Sequence, residues 1–205
     1  MNTTTNKLTP QSLWTLEHYA KVRNKFREEM IKHKKNRMVR LGENLTLHFE
    51  DVETIKYQVQ EILRIEKTFE EEGILEELEA YNPLIPDGSN FKCTMMIEYS
   101  NESVRKEKLR LLKGIEDKVW VKVEGREKVW AIADEDLQRE NDEKTSAVHF
   151  LRFELDEDMV KSLKYGVGLA IGVEHEAYTV SVDPLQVDVR NSLAGDLSWR
   201  NNIGG

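Results

Sequence analysis

The stretch LTLHFEDVETIKYQVQEILRIEKTF, residues 45–69, decides the fold because it joins a strand directly to a long amphipathic helix. Apolar and polar side chains alternate from Leu45 to Phe49, which is typical of a strand with one buried face. After a corner at Glu50-Asp51 the apolar residues recur at helical spacing, and Asp51 is a suitable N-cap. Gly73 is expected to end this helix. Its predicted apolar arc contains Ile55, Val59, Ile62, Leu63, Ile65 and Phe69.

Two polar residues interrupt this arc, since Glu66 falls near its middle and Gln58 falls inside it. A carboxylate in an apolar setting is costly unless it is paired, hydrogen-bonded or protonated. Glu66 therefore has two interpretations. It belongs to a structural ion pair or to a helix end that has already reached solvent, or it is a functional carboxylate in a pocket.

An earlier helix supplies possible partners for this carboxylate. Thr9-Pro10 is a helix start, and the helix is predicted to run to about Asn36, with a break near Thr15. Arg23 and His33 lie in its apolar arc, so either could pair with Glu66. The helix ends in a basic run, KHKKNR, residues 32–37. Cations at this position suit the negative end of a helix dipole. The alternative is an anion-binding patch, although this run lacks the interleaved aromatic residues of a single-strand nucleic-acid surface.

A second histidine, His149, lies in the middle of the apolar face of a strand predicted over residues 146–155. A core histidine bonded to a backbone carbonyl is one interpretation. The other joins His149 to His33 and Glu66, with Arg23 and Gln58 nearby. Two imidazoles and a carboxylate could hold a divalent metal with an open coordination position, and this set is our candidate catalytic or metal site. The same groups could instead form a buried polar network.

An ordered loop supplies two further candidate binding residues. Residues 82–90 contain two prolines and an Asp-Gly turn, and Asn82 and Asp87 are its polar candidates. Ordered loops on rigid scaffolds often carry function. A purely structural crossover is the alternative.

Composition excludes several classes of protein. The 205 residues carry a net charge of −8, which argues against nonspecific binding to nucleic acid or anionic membranes. One cysteine, Cys93, excludes an internal disulfide, and its apolar strand face predicts a buried, inert thiol. No apolar run approaches the length of a membrane span, and the first residues lack a secretory signal. We therefore expect a cytoplasmic protein.

The strands come mainly as hairpins, with helices between the pairs. This order predicts an α+β fold with a mostly antiparallel sheet and helices packed on it. We expect a flexible tail over residues 1–8, a single domain over 9–197, and a second flexible tail over 198–205. No Walker-type loop, GxSxG, HExxH or CxxC motif is present, so no motif identifies an enzyme.

Five segments of the sequence carry a resemblance to a known family: HKKNRMVRLG (33–42), LHFEDVETIKYQVQEILRIE (47–66), EELEAYNPLIPDG (76–88), GIEDKVWVKVEG (114–125) and EKTSAVHFLRFEL (143–155). Together they resemble a bacterial family known only as domain of unknown function 3501. The resemblance covers roughly residues 7–197. It implies, through frequent gene neighbours, a role beside rubrerythrin-like diiron proteins and iron–sulfur oxidoreductases, and it supplies no catalytic residues.

Two functions follow as hypotheses. The first is a noncatalytic accessory or partner-binding protein in a redox or peroxide-related system, which should show exposed aromatic or methionine patches. The second is a metal-dependent or small-molecule enzyme with a pocket around Glu66, His33 and His149. A third, RNA binding through Lys32–Arg40, is disfavoured by the net charge.

Overall fold

The computed structural model describes residues 7–133, 135 and 144–198. The strand of the opening stretch and the start of its helix form as predicted, with the Asp51 side chain accepting a hydrogen bond from Thr54 N at the helix start. The α-helices of the described residues are α1 (Leu16–Lys35), α2 (Val52–Glu66), α3 (Glu71–Tyr81), α4 (Glu102–Leu111), α5 (Glu157–Lys164) and α6 (Val187–Gly195). The strands are β1 (Met38–Leu41), β2 (Leu45–Phe49), β3 (Asn90–Ile97), β4 (Val119–Val123), β5 (Lys128–Trp130), β6 (Ile132–Ala133), β7 (Val148–Glu154), β8 (Leu169–His175) and β9 (Tyr178–Val182).

The strands form two antiparallel sheets, which confirms the α+β class but divides the expected sheet in two. One sheet has the strand order β1-β2-β3-β7-β6 and the other β5-β4-β8-β9. β5 and β6 are separated by Ala131 alone, so the chain passes from one sheet to the other there. At the opposite edge the hydroxyl of Tyr178 donates to the carbonyl of Leu41 over 2.7 Å and links β9 to β1.

The main core lies between the two sheets, because the alternating apolar side chains of both point into the same space. Leu47, Met95 and Val121, which come from three different strands, are fully buried there. Cys93 is buried in this core, and burial raises the pKa of its thiol well above the ordinary value. A buried thiol with a raised pKa is unreactive, as the apolar strand face predicted.

A second apolar cluster joins the first three helices to the loop before β3. The side chains of Ile55, Val59 and Leu63 on α2 are buried against Leu78 of α3 and against Ile85. The expected break near Thr15 is present, but the predicted helix start at Thr9-Pro10 forms only a 3-10 turn over Pro10–Ser12. α1 begins at Leu16, and its cap is Thr15 instead of Thr9. A third cluster links α1 to the outer side of α2 through Tyr19, Phe26, Met30, Trp14, Val22 and Tyr57.

The central helix ends earlier than its sequence suggested. α2 stops at Glu66, and Lys67 takes the left-handed conformation, with φ 56° and ψ 41°. Gly73, which the sequence reading placed at the end of α2, lies inside α3 instead. A Cβ atom at Gly73 would lie 2.6 Å from the Thr68 methyl group, so this glycine allows α3 to pack closely against the α2–α3 connection.

Residues 1–6 and 199–205 of the expected tails lie outside the described residues. Leu8, at the end of the first expected tail, is buried and exchanges two backbone hydrogen bonds with the Asn82 side chain. At the other end, Ser198 N donates to the carbonyl of Gly88. Within the described residues, no helix combines the length and the apolar character that spanning a membrane requires.

Candidate functional site

The structure does not bring Glu66 and His33 together. His33 Nε2 lies 2.6 Å from Asp51 Oδ2, at the N-terminal end of α2, whereas Glu66 is the last residue of that helix. A helix of this length spans about 22 Å at about 1.5 Å per residue. Glu66 is exposed, which matches the interpretation that the helix end has reached solvent.

Arg23 pairs with Glu61 and not with Glu66. The guanidinium donates from Nε and Nη2 to the two Glu61 carboxylate oxygens at 2.7 and 2.8 Å. The hydroxyl of the fully buried Tyr19 donates to the same carboxylate at 2.6 Å. The Arg23 hydrogen bond, ahead of those from Tyr19 and Arg64, lowers the pKa of Glu61 to about 2. This cluster fastens α1 to α2, so Arg23 has a structural role here.

His33 belongs to a network centred on Arg37, the last cation of the basic run. Arg37 is buried, with a bidentate pair to Asp196 at 2.5 and 3.1 Å and a contact of 3.3 Å to Asp51. It also donates to the carbonyls of Phe49 and Glu50. Burial, against the opposing effect of Arg37, raises the pKa of Asp196 to about 6. Arg37 thereby ties the end of α6 to the corner between β2 and α2.

Gln58 faces a second buried carboxylate at the same corner. The Glu50 side chain accepts hydrogen bonds from Thr54 Oγ1 at 2.6 Å, Thr94 Oγ1 at 2.9 Å and Gln58 Nε2 at 3.2 Å. These three neutral donors connect α2 to β3. The inward polar residue Gln58 is therefore explained by a hydrogen-bond network that sets the helix on the sheet.

His149 forms a separate network inside the main core. It is fully buried, and its Nε2 lies 2.9 Å from Thr145 Oγ1 and 3.1 Å from the Ser146 carbonyl. Glu116 Oε2 lies 3.8 Å from the same nitrogen. His149 is thus a core histidine bonded to a backbone carbonyl. Across residues 7–133, 135 and 144–198, no three His, Cys, Asp or Glu side chains are grouped to hold a metal ion.

The two loop candidates make local contacts. Asn82 holds Leu8, as described above. The Asp87 carboxylate accepts hydrogen bonds from the backbone N and the hydroxyl of Ser89 at 2.9 and 2.7 Å, which closes the turn before β3. Asp87 also lines an open cavity of about 310 Å³ with Glu157 and Ser198. Binding roles for Asn82 and Asp87 stay predictions.

The most distinctive surface lies where α2 meets α3. Three large apolar side chains are exposed there, with relative exposures of 65% for Ile65, 62% for Phe69 and 48% for Leu75. Phe69 also lines a groove of about 270 Å³ between the start of α1 and the α2–α3 connection. We call this the corner surface. The apolar side chains that line its groove include Leu13, Trp14, Leu16, Leu63, Phe69 and Ile74.

The segment that contains Phe69 and Leu75 is rich in glutamate. Residues 66–79 contain seven glutamates and one lysine, a formal charge of −6. Within the described part of the chain, none of these seven carboxylates has an ion-pair partner. Burial first, and then the neighbouring Glu66 and Glu76, raises the pKa of Glu77 above its ordinary value. The segment therefore carries like charges that the fold itself does not neutralise.

Sequence reasoning missed this surface because it assigned Ile65 and Phe69 to the buried arc of α2. Both fall at helical spacing from the buried residues, but α2 ends at Glu66 and its last turn extends beyond the core. The signal available in the sequence was the density of glutamates immediately after the arc. So many charges following an apolar run indicate that the run is leaving the core.

Two comparisons with known proteins found matches, one to a family model and one to a solved structure. A family model described as "Protein of unknown function (DUF3501)" matches residues 7–197. A solved crystal structure of a novel protein of unknown function from Burkholderia pseudomallei K96243 superposes on this chain with a TM-score of 0.89. The two sequences are 54% identical, and the match covers 94% of this chain and 100% of the other. No curated protein matches the chain.

Proposed function

This chain belongs to the DUF3501 family, and we propose that it is a noncatalytic protein that binds a partner protein through the corner surface. The observation that carries the proposal is the exposure of Ile65, Phe69 and Leu75 where α2 meets α3, together with a mainly apolar groove that Phe69 lines. Scattered exposed apolar residues are normal, whereas apolar residues grouped at a groove and rimmed by charge are typical of interaction sites.

Burial of these side chains in an interface would supply substantial binding energy. Complete burial of a Leu, Ile or Phe side chain is worth about 2 kcal/mol. Anchors of this kind commonly dominate the affinity of a protein–protein interface, and the polar rim around them contributes orientation and specificity.

The resemblance noted from the sequence suggests the class of partner. Rubrerythrin-like diiron proteins and iron–sulfur oxidoreductases are the first candidates, and the proposed setting is a redox or peroxide-related system in the cytoplasm. The alternative, a metal-dependent or small-molecule enzyme acting through Glu66, His33 and His149, has less support. Those residues lie at the two ends of α2 and in a separate core network.

A site-specific photocrosslinker tests the proposal in living cells. We would place benzoylphenylalanine at Phe69 and, as a matched control, at Leu111, which is 51% exposed on α4. We expect a discrete adduct from position 69 that is absent from position 111. Mass spectrometry of that adduct would identify the partner.

The identified partner would then be purified and titrated against the wild type, Ile65→Ser and Leu111→Ser. We expect Ile65→Ser to weaken binding about tenfold or more, since the loss of one buried apolar anchor is worth about 1.5–3 kcal/mol. Leu111→Ser should bind like the wild type. Equal adducts at positions 69 and 111, or an Ile65→Ser variant with unchanged Kd, would refute the proposal.

A further inference from the structure

We infer that the partner segment that docks on the corner surface is a basic amphipathic helix; this inference rests on the proposed function. The corner surface combines three features: a mainly apolar groove that Phe69 lines, the exposed side chains of Ile65 and Leu75 on the two helices that meet there, and, in residues 66–79, an excess of carboxylates without ion-pair partners among the described residues. A segment that presents leucine-like side chains on one face and lysine or arginine beside them matches all three.

The charge argument is the most specific. Because the seven glutamates of residues 66–79 lack ion-pair partners among the described residues, they repel one another in the free protein. Cations at the rim of an interface relieve this repulsion and accelerate association. Glu77 is half-buried between Glu66 and Glu76, so it gains most from a nearby cation.

The same charge disfavours the other occupants of the groove. A symmetric dimer formed through the corner surface would place two segments of charge −6 against each other, and facing like charges are destabilising. Anionic lipid surfaces and nucleic acids are disfavoured for the same reason. The first six residues of this chain, MNTTTN, carry a single apolar side chain, so they are poorly suited to an apolar groove.

The shape of the site favours a helix as the inserted element. The groove runs between the start of α1 and the α2–α3 connection, with Trp14 and Leu16 on one side and Phe69 and Ile74 on the other. An amphipathic helix fills such a groove with side chains at positions i, i+3, i+4 and i+7. Its flanking positions then face the glutamates of α3, which begins immediately after the connection.

Three synthetic peptides of about 15 residues, enough for four helical turns, test the inference. All three carry the same leucines at positions i, i+3, i+4 and i+7, with alanine at the remaining buried positions. Their polar faces carry lysine, glutamine or glutamate. Fluorescence anisotropy of each labelled peptide, titrated with the full chain, would be recorded at about 50 mM and about 300 mM salt.

We expect the lysine peptide to bind at least about tenfold more tightly than the glutamine peptide at low salt, and the glutamate peptide to bind most weakly. Higher salt should weaken the binding of the lysine peptide only. The triple variant Glu66→Gln, Glu70→Gln, Glu76→Gln should bind the lysine peptide about tenfold more weakly, since each exposed pair is worth about 0.5 kcal/mol. The matched control Glu28→Gln, Glu107→Gln, Glu176→Gln, which removes three exposed carboxylates elsewhere, should leave its Kd unchanged.

The outcomes separate this inference from the proposed function. If the three peptides bind equally and Phe69→Ser abolishes the binding of all of them, the docking surface stands and the basic partner is refuted. If the lysine peptide binds as tightly to Phe69→Ser as to the wild type, its attraction is nonspecific and the inference fails. Circular dichroism of each variant would confirm that the fold is retained.

Discussion

Replacement of Glu61 by glutamine should remove much of the loss of folding stability that acid causes at the contact between α1 and α2. In the folded protein the Arg23 hydrogen bonds, with those of Tyr19 and Arg64, lower the pKa of Glu61 from 4.5 to about 2. In the unfolded chain this carboxyl has its ordinary pKa. Between these two values the unfolded state binds more protons than the folded state, so stability falls as the pH falls.

The size of the effect follows from the pKa. Each pKa unit is worth about 1.4 kcal/mol, so the lowered pKa of Glu61 corresponds to about 3 kcal/mol at neutral pH. Glu61 is only 16% exposed, but Arg23 is 30% exposed, and solvent screening reduces the contribution. We therefore expect about 2 kcal/mol, fully present above about pH 5 and lost progressively towards pH 2.

Urea unfolding of the wild type and Glu61→Gln at about pH 7, 5 and 3 measures this contribution. The variant should be about 2 kcal/mol less stable at pH 7, and the two proteins should converge as the pH falls. Glu28→Gln, which removes an exposed carboxylate on α1, is the control, and its stability should depend on pH in the same way as that of the wild type. A constant difference between Glu61→Gln and the wild type from pH 7 to 3 would refute the electrostatic argument.

Two further predictions concern the two ends of α2, its C-cap Lys67 and the Arg37 network at its start. Lys67→Gly should stabilise the protein by up to about 1 kcal/mol, because only glycine takes a left-handed φ of 56° without steric cost. Lys67→Ala should give no gain in stability. Denaturant midpoints measure both variants, and a glycine variant less stable than the wild type would contradict the argument that Lys67 is strained. Arg37→Met should cost about 3–5 kcal/mol, because it leaves the largely buried Asp196 carboxylate without its cation. A urea midpoint close to the wild-type value would show that the network contributes little.

The alternating strands were predictable because alternation is a local property of the chain. Leu47 and Phe49 share a buried face whatever covers that face, since successive side chains of a strand point to opposite sides. The cap at Asp51 was predictable for the same reason, because a capping side chain bonds to the backbone of its own next turn. The sequence by itself thus determined the α+β class, the strand faces and the start of α2.

The tertiary structure alone decided which polar residues are buried and which apolar residues are exposed. In the sequence, Arg37 is one more cation in the basic run. Its burial depends on Asp196, which lies 159 residues further along the chain. A helical wheel gives directions about one helix axis but not the point at which the helix leaves its neighbours. Glu66 and Phe69 therefore share an arc with Val59, yet they are exposed, because the packing partners of α2 end one turn before the helix does.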